Sequence, residues 1–242
     1  MDRVIYLAMA GAKANMQRQD VLAHNLANAS TTGFRAELTA FRAVPVLGDG
    51  ASTRVYAIES TPGYNPEPGP VAATGRNLDV AMKGNAWLAV QAADGTEAYT
   101  RGGALDINTE GLLVTRGGLQ VVGDGGPITI PPNAQVTVGG DGTVTARVGN
   151  GNPQGVGKLK LVTPEAPMLR GSDGLFRGAE GDELPADATA GVQAEALEGS
   201  NVSPVESMVA MIAAARQFEQ QMKMLQSAQE REQSATRLLS GS

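Results

Sequence analysis

Few side chains in this sequence could do chemistry. His24 is the single histidine and cysteine is absent, so the thiolate and multi-imidazole sites behind structural zinc, iron–sulfur clusters and Cys-His nucleophiles lack their ligands. Asp79, Asp94, Asp106 and Asp124 are the carboxylates to weigh for paired acid–base work. Each stands beside turn or strand-edge signals, where aspartate is expected for backbone reasons. Gly151-Asn152-Pro153-Gln154-Gly155-Val156-Gly157-Lys158 superficially suggests a phosphate loop, yet its glycine spacing is wrong for a Walker loop and Leu159 replaces the hydroxyl residue that would hold magnesium. It reads as a surface turn, and His24 as a surface or interface residue of a helix. No catalytic, cofactor-binding or metal-ligating residue is assigned, no cofactor is expected, and the chain does not read as an enzyme.

Composition narrows the partners. The chain has 242 residues and a formal net charge of -6, and it lacks the clustered Lys and Arg that nucleic acid or an anionic lipid surface requires. No apolar run approaches the ~20 residues of a membrane helix, so the chain is not expected to span a membrane. Aromatics make up 4% and glycines number 31, so any core must be built from small aliphatics. Residues Arg3 to Ala14 loosely mimic a secretory signal with an A-x-A site. Asp2 spoils the positive n-region, and the helical pattern runs on through Met16, Ala23 and Leu26.

The elements that would position any site come in three textures. From Asp2 to about Ala29, Ile5, Met9, Ala12, Met16, Ala23 and Leu26 mark one helical face, with Gln19 filling the gap. The helix should end near Asn28, before the turn chemistry of Ser30-Thr31-Thr32-Gly33. From Phe34 to Arg76 the pattern degrades, with Pro62, Pro66, Pro68 and Pro70 closely spaced, and an extended connector is expected. Between Asn77 and Glu198 short apolar runs alternate with Asp94-Gly95, Glu110-Gly111, Asp124-Gly125, Asp141-Gly142 and Asp173-Gly174, which predicts an all-β domain of barrel-like or irregular sandwich type. Within it, Val136 and Val138 should face Val144 and Ala146 across a hairpin. After Gly199, Ser203-Pro204-x-Glu206 marks a helix start. Met208, Met211, Ala215, Phe218, Met222 and Leu225 then follow in steps of three and four, the period of a coiled-coil seam.

The fold expected is therefore α+β, with paired N- and C-terminal coiled-coil helices bracketing an all-β middle. Its divisions would be residues 1–33 (N-terminal helix), 34–76 (connector), 77–198 (β domain) and 199–242 (C-terminal helix). Two amphipathic helices at opposite chain ends can meet in one hairpin, but a pair is a thin core. The stripes Ile5, Met9, Ala12, Met16, Leu26, Met208, Met211, Ala215, Phe218, Met222 and Leu225 are accordingly candidate subunit-interface residues, whose ordering would be coupled to assembly. Methionine suits irregular neighbours, and a heterologous contact that does not close builds a filament.

Asn25-Leu26-Ala27-Asn28-Ala29-Ser30-Thr31-Thr32-Gly33-Phe34-Arg35 closely resembles the N-L-A-N-x-x-T-T-G-[FY]-[KR] signature of the flagellar basal-body rod and hook proteins. Glu198-Gly199-Ser200-Asn201-Val202, continuing through Val205, Met208, Val209, Ile212 and Arg216 to Phe218 and Glu219, resembles that family's C-terminal signature. Between them Leu78-Asp79-Val80-Ala81, Tyr99-Thr100-Arg101-Gly102-Gly103 and Gly111-Leu112-Leu113-Val114-Thr115 look like its β core, so the likeness covers nearly the whole chain. There are departures: Gly84-Asn85-Ala86-Trp87-Leu88 stands where a G-x-G-F-F stretch is usual, and Gly103-Ala104-Leu105 lacks the usual aromatic. The opening residues look like those of a proximal-rod member. The resemblance implies a subunit exported unfolded by the flagellum's type III apparatus and assembled in the periplasm with copies of itself and with proximal and distal rod proteins. Its terminal helices would line the export channel, and the rod would carry torque to the hook. A secreted adhesin or cell-wall binder would account for the Gly-rich middle but not for the two helices. A distal-rod or hook sibling would differ only in its opening residues and its size.

Overall fold

A computed structural model describes residues 2–45 and 55–240. By their internal contacts they fall into two units, each discontinuous in sequence. One comprises Met1–Ala29, Ala36–Asn65 and Val202–Ser242, the other Ser30–Arg35 and Pro66–Asn201.

In the first unit, α1 (Asp2–Ala27) and α2 (Pro204–Ser240) pack against each other. Each starts or stops where local chemistry dictates. The Asn28 side-chain amide donates to the His24 carbonyl at 2.9 Å as α1 ends, and the Ser203 hydroxyl accepts from the Glu206 amide at 3.4 Å as α2 begins, with Pro204 in the first helical position. The line along which α1 is sheltered runs through Ala8, Ala12, Asn15, Gln19, Leu22 and Leu26. On α2 it runs through Ser207, Met211, Ala214, Phe218, Gln221 and Leu225. Both alternate steps of four and three. Ala12, Gln19, Leu26, Met211, Phe218 and Leu225 belong to the expected stripes, whereas Met9, Met16, Ala23, Met208 and Met222 stand exposed beside the line. Small residues explain the rotation: Ala8 and Ala214 are buried, and Gly11 lies so close to the Gln221 side chain that a Cβ there would sit 3.1 Å from it.

The stretch expected to be an extended connector contains a hairpin, β1 (Glu37–Pro45) with β2 (Val55–Tyr64), antiparallel from Glu37↔Tyr64 to Pro45↔Val55. Pro62 had argued against a strand. Its lack of an N–H is accommodated where the register shifts between Leu38 and Ala40, as a bulge allows.

Down the second unit run β3 (Val71–Ala73), β4 (Val80–Met82), β5 (Trp87–Gln91), β6 (Glu97–Thr100), β7 (Leu105–Ile107), β8 (Leu113–Thr115), β9 (Gln120–Gly123) and β10 (Gly126–Pro127). They continue as β11 (Ala134–Val138), β12 (Thr143–Val148), β13 (Gln154–Lys158), β14 (Leu161–Val162), β15 (Leu169–Arg170), β16 (Phe176–Arg177), β17 (Val192–Ala194) and β18 (Ala196–Glu198). The largest sheet follows the order β15-β16-β6-β5-β9-β8-β7, with β10 on β9 and β14 on β5, while β11-β12-β13 form another and β17-β4 and β18-β3 pair separately. No closed barrel forms among the described residues: the main path ends openly at β15 and β7. Two helices thus bracket a β-rich middle. The Val136↔Ala146 and Val138↔Val144 hairpin forms as expected, turning at Gly142 with φ 83°. At Asp124-Gly125 the left-handed residue is instead the following Gly126, φ 105°. Aliphatic side chains including Leu88, Val90, Leu105, Leu113, Val121, Leu159 and Leu161 form the core.

Candidate functional site

The two signature segments, far apart in sequence, converge in the β unit on one buried carboxylate. Strand β18 places Ala196 and Glu198 on the same inward face, so the alternation that buries the alanine carries Glu198 in with it. Its side chain is 0% exposed, and those of Arg35 and Arg101, which grip it, are each 2% exposed. Arg35 donates from Nη1 to Glu198 Oε1 at 2.6 Å, and the Gly69 amide donates to the same oxygen at 3.0 Å. Arg101 takes the other oxygen, from Nε at 2.8 Å and Nη2 at 2.5 Å. Its remaining protons go to backbone carbonyls: Nη1 to Gly84 at 2.9 Å and Ala86 at 2.5 Å, and Nη2 to Met82 at 3.1 Å. All five donors of that guanidinium are therefore used. Burial pulls Arg101 below the usual arginine range, against the opposing pull of Glu198.

Two guanidinium groups on one carboxylate leave a positive charge inside, and the aromatic neighbours soften it. Trp87, within the segment that departs from the family pattern, lies 6.0 Å from the Arg35 guanidinium carbon and 5.9 Å from that of Arg101, where the face of an indole attracts cations. Phe176 packs against Trp87 at 4.7 Å between ring centroids. Arg170 lies 4.3 Å over the Phe34 ring and donates to the Arg35 carbonyl at 3.1 Å.

Backbone contacts close the cluster. The Gly33 amide donates to the Glu198 carbonyl at 2.8 Å, Gly199 to Pro70 at 2.8 Å and Asn201 to Phe34 at 3.2 Å, while the Asn201 side chain donates to the Glu67 carbonyl at 2.8 Å. Gly33 has φ 69°, and a Cβ there would lie 2.2 Å from the Arg101 carbonyl carbon. A Cβ on Gly69 would lie 2.2 Å from the Gly199 oxygen. Neither position admits another residue without displacing backbone.

Within this frame Phe34 and Ser200 are buried, Thr32 and Asn201 half-buried and Thr31 exposed. In the helical unit, Leu26, Asn28 and Val202 are half-buried and Ala27 is exposed. Asn25 is buried and uses both ends of its amide on one residue, donating to the Glu37 carbonyl at 2.9 Å and accepting from the Glu37 amide at 2.8 Å. His24 Nδ1 lies 3.0 Å from the Glu37 carboxylate. Of the candidate interface residues, Ile5, Ala12, Met211, Ala215, Phe218 and Leu225 are half-buried with Leu26, and Met9, Met16, Met208 and Met222 are exposed. Asp79 is buried and paired with Arg76 at 3.2 Å, Asp94 caps its own turn through Thr96, and Asp106 and Asp124 are exposed. Sequence reasoning gave Arg35, Arg101 and Glu198 no role and passed over Gly69 and Arg170. The signal available was the inward register of Glu198 in Ala196-Leu197-Glu198.

The segments that carry the signatures match known protein families. Residues 5–35 match the family model "Flagella basal body rod protein", 81–146 match "Flagellar hook protein FlgE/F/G D1 domain", and 193–238 match "Flagellar basal body rod FlgEFG protein C-terminal". Flagellar basal-body rod protein FlgF of Salmonella typhimurium is 47% identical over 99% of each chain, and FlgF of Escherichia coli K12 is 46% identical over the same share. FlgG of Agrobacterium fabrum is 34% identical over 94% of this chain and 96% of its own. Matched from end to end by FlgF proteins, the chain belongs to the family of flagellar basal-body rod proteins.

Proposed function

We propose that this structural subunit of the flagellar basal-body rod assembles with copies of itself and with other proximal and distal rod proteins through its terminal helices. One observation carries the reading. While α2 shelters one side against α1, the rest of its surface bears Val205, Met208, Val209 and Ile212, between 52% and 71% exposed. A helix apolar beyond its paired side is one that becomes buried there as well. The candidate interface residues divide accordingly. Met211, Phe218, Leu225, Ile5, Ala12, Ala215 and Leu26 serve mainly the pairing within the chain, in coiled-coil fashion, and Met9, Met16, Met208 and Met222 serve contacts between chains. Assembled in this way the helices would wall the axial channel and transmit torque, and residues 77–198 would form a β domain. Delivery unfolded through the type III apparatus into the periplasm belongs to the same reading, supported by the family signatures and by a sequence without cysteine. The motif Asn25–Phe34 would end α1 and turn the chain out of it, and Ser200–Val202 would lead into α2.

The test is the paired substitution Met208→Lys and Ile212→Lys. Exposed in the single chain and favourable in a helix, these changes should leave its circular dichroism and unfolding midpoint within the ~0.5 kcal/mol usual for surface sites. Electron micrographs of purified basal bodies should then lack the rod and everything beyond it. An intact hook in those micrographs would refute the assembly reading.

A further inference from the structure

The cluster around Glu198 joins segments that the sequence holds far apart: residues 33–35, 69–70, 101 and 198–201. Its hydrogen bonds fall into two kinds. The Glu198 carboxylate takes Arg35, Arg101 and the Gly69 amide directly. The amides of Gly33, Gly199 and Asn201 go to carbonyls of Glu198, Pro70 and Phe34 and never touch that carboxylate. The first segment of the β unit, Ser30–Arg35, and its last, Glu198–Asn201, are tied by this second kind of bond. The first kind explains why they hold. If the carboxylate loses its charge, two buried guanidinium groups are left facing each other, and an uncompensated buried cation is among the most destabilising arrangements a protein can carry.

We infer that Glu198 is the keystone of a clasp that opens and closes as one cooperative piece, fastening the first and last segments of the β unit in a single step and releasing both together. The clasp is a conformational device distinct from the assembly reading and holds whichever subunits the helices meet. Its consequence is an order of events: the segment leading out of α1 stays unfastened until the last residues before α2 have joined the β unit, because residue 198 completes what residue 35 begins.

Native-state hydrogen exchange on the full-length chain tests this at single-amide resolution. In the unaltered protein, exchange measured at rising urea below the unfolding transition should bring the amides of Gly33, Gly69, Gly199 and Asn201 onto one common isotherm, below that of the β11–β12 hairpin. In Glu198→Gln all of these amides should exchange roughly a hundredfold to several-thousandfold faster, with the hairpin unchanged. Acceleration confined to Gly69 would mean only a weakened local acceptor. Equal acceleration in the hairpin would mean only global destabilisation, and no acceleration would mean that the carboxylate holds nothing. Each of these outcomes overturns the clasp. If Glu198→Gln does not fold, the urea series on the unaltered chain decides, and separate isotherms for these amides refute it.

Discussion

Gly33 shows how narrowly one position can be specified. It sits at φ 69° with the Arg101 backbone where a Cβ would go, so Gly33→Ala meets both the left-handed penalty and a clash that only backbone movement relieves. A loss of about 3 kcal/mol is expected, seen as a lowered urea midpoint in the fluorescence of Trp87, the single tryptophan. Asp187 offers a cleaner electrostatic case. The hydroxyls of Thr163 and Thr189, with the Thr189 amide, hold its carboxyl down to about 2. Because the folded value lies below the ordinary one, the stabilisation is present above the usual carboxylate range and fades as pH falls toward 2. Carboxyl titration by NMR should place the Asp187 midpoint near 2, and Asp187→Asn should flatten that part of the stability profile. Residues differ in how plainly a sequence shows such roles. Asn25, Asn28 and Gly33 stood in a recognisable motif, and the first two hydrogen-bond backbone groups. Glu198 is hidden because a carboxylate in a string looks solvated, and only three-dimensional pairing with Arg35 and Arg101 makes its burial tolerable.

At the scale of elements, the helices were legible because caps and periodicity are local. Ser203, Pro204 and Glu206 mark the start of α2, and Ser203→Ala should lower the stability of its first turn by about 0.5 kcal/mol, the low end for a cap whose hydrogen bond is 3.4 Å long. Amide exchange over Val205–Met208 would register the fraying. Which side of each helix faces the other was less legible. The lines through Met208 and Met222 or through Ser207, Ala214 and Gln221 share Met211, Phe218 and Leu225, and the periodicity fits both. Close approach at Gly11 and Ala214 selects the second. The hairpin β1–β2 escaped the sequence because Pro62 breaks the alternation that would have announced it, and the bulge that tolerates a proline depends on the partner strand. The hairpin of Val136 and Val144 was plain, since its register is set by a turn a few residues long.

For the whole molecule, the outline of two helices around a β-rich middle follows from the order of textures along the chain, whereas the open sheet, in place of a closed barrel, follows from pairings between distant strands such as β5 with β14 and β6 with β16. Non-local pairing of this kind leaves no periodic trace in the sequence. What the single chain leaves uncovered is as informative as what it buries. Met9, Met16, Met208 and Met222 all stand bare beside the line where α1 and α2 meet. A thioether attacked by peroxide gains an oxygen and becomes a polar, chiral sulfoxide, with water as the by-product. Subunits treated with dilute peroxide before incorporation should gain oxygen at these sites by mass spectrometry and lose their capacity to build a rod, and finished basal bodies given the same dose should be spared. In the proposed assembly, bare sulfur would give the single subunit a chemical vulnerability that ends when neighbours cover it.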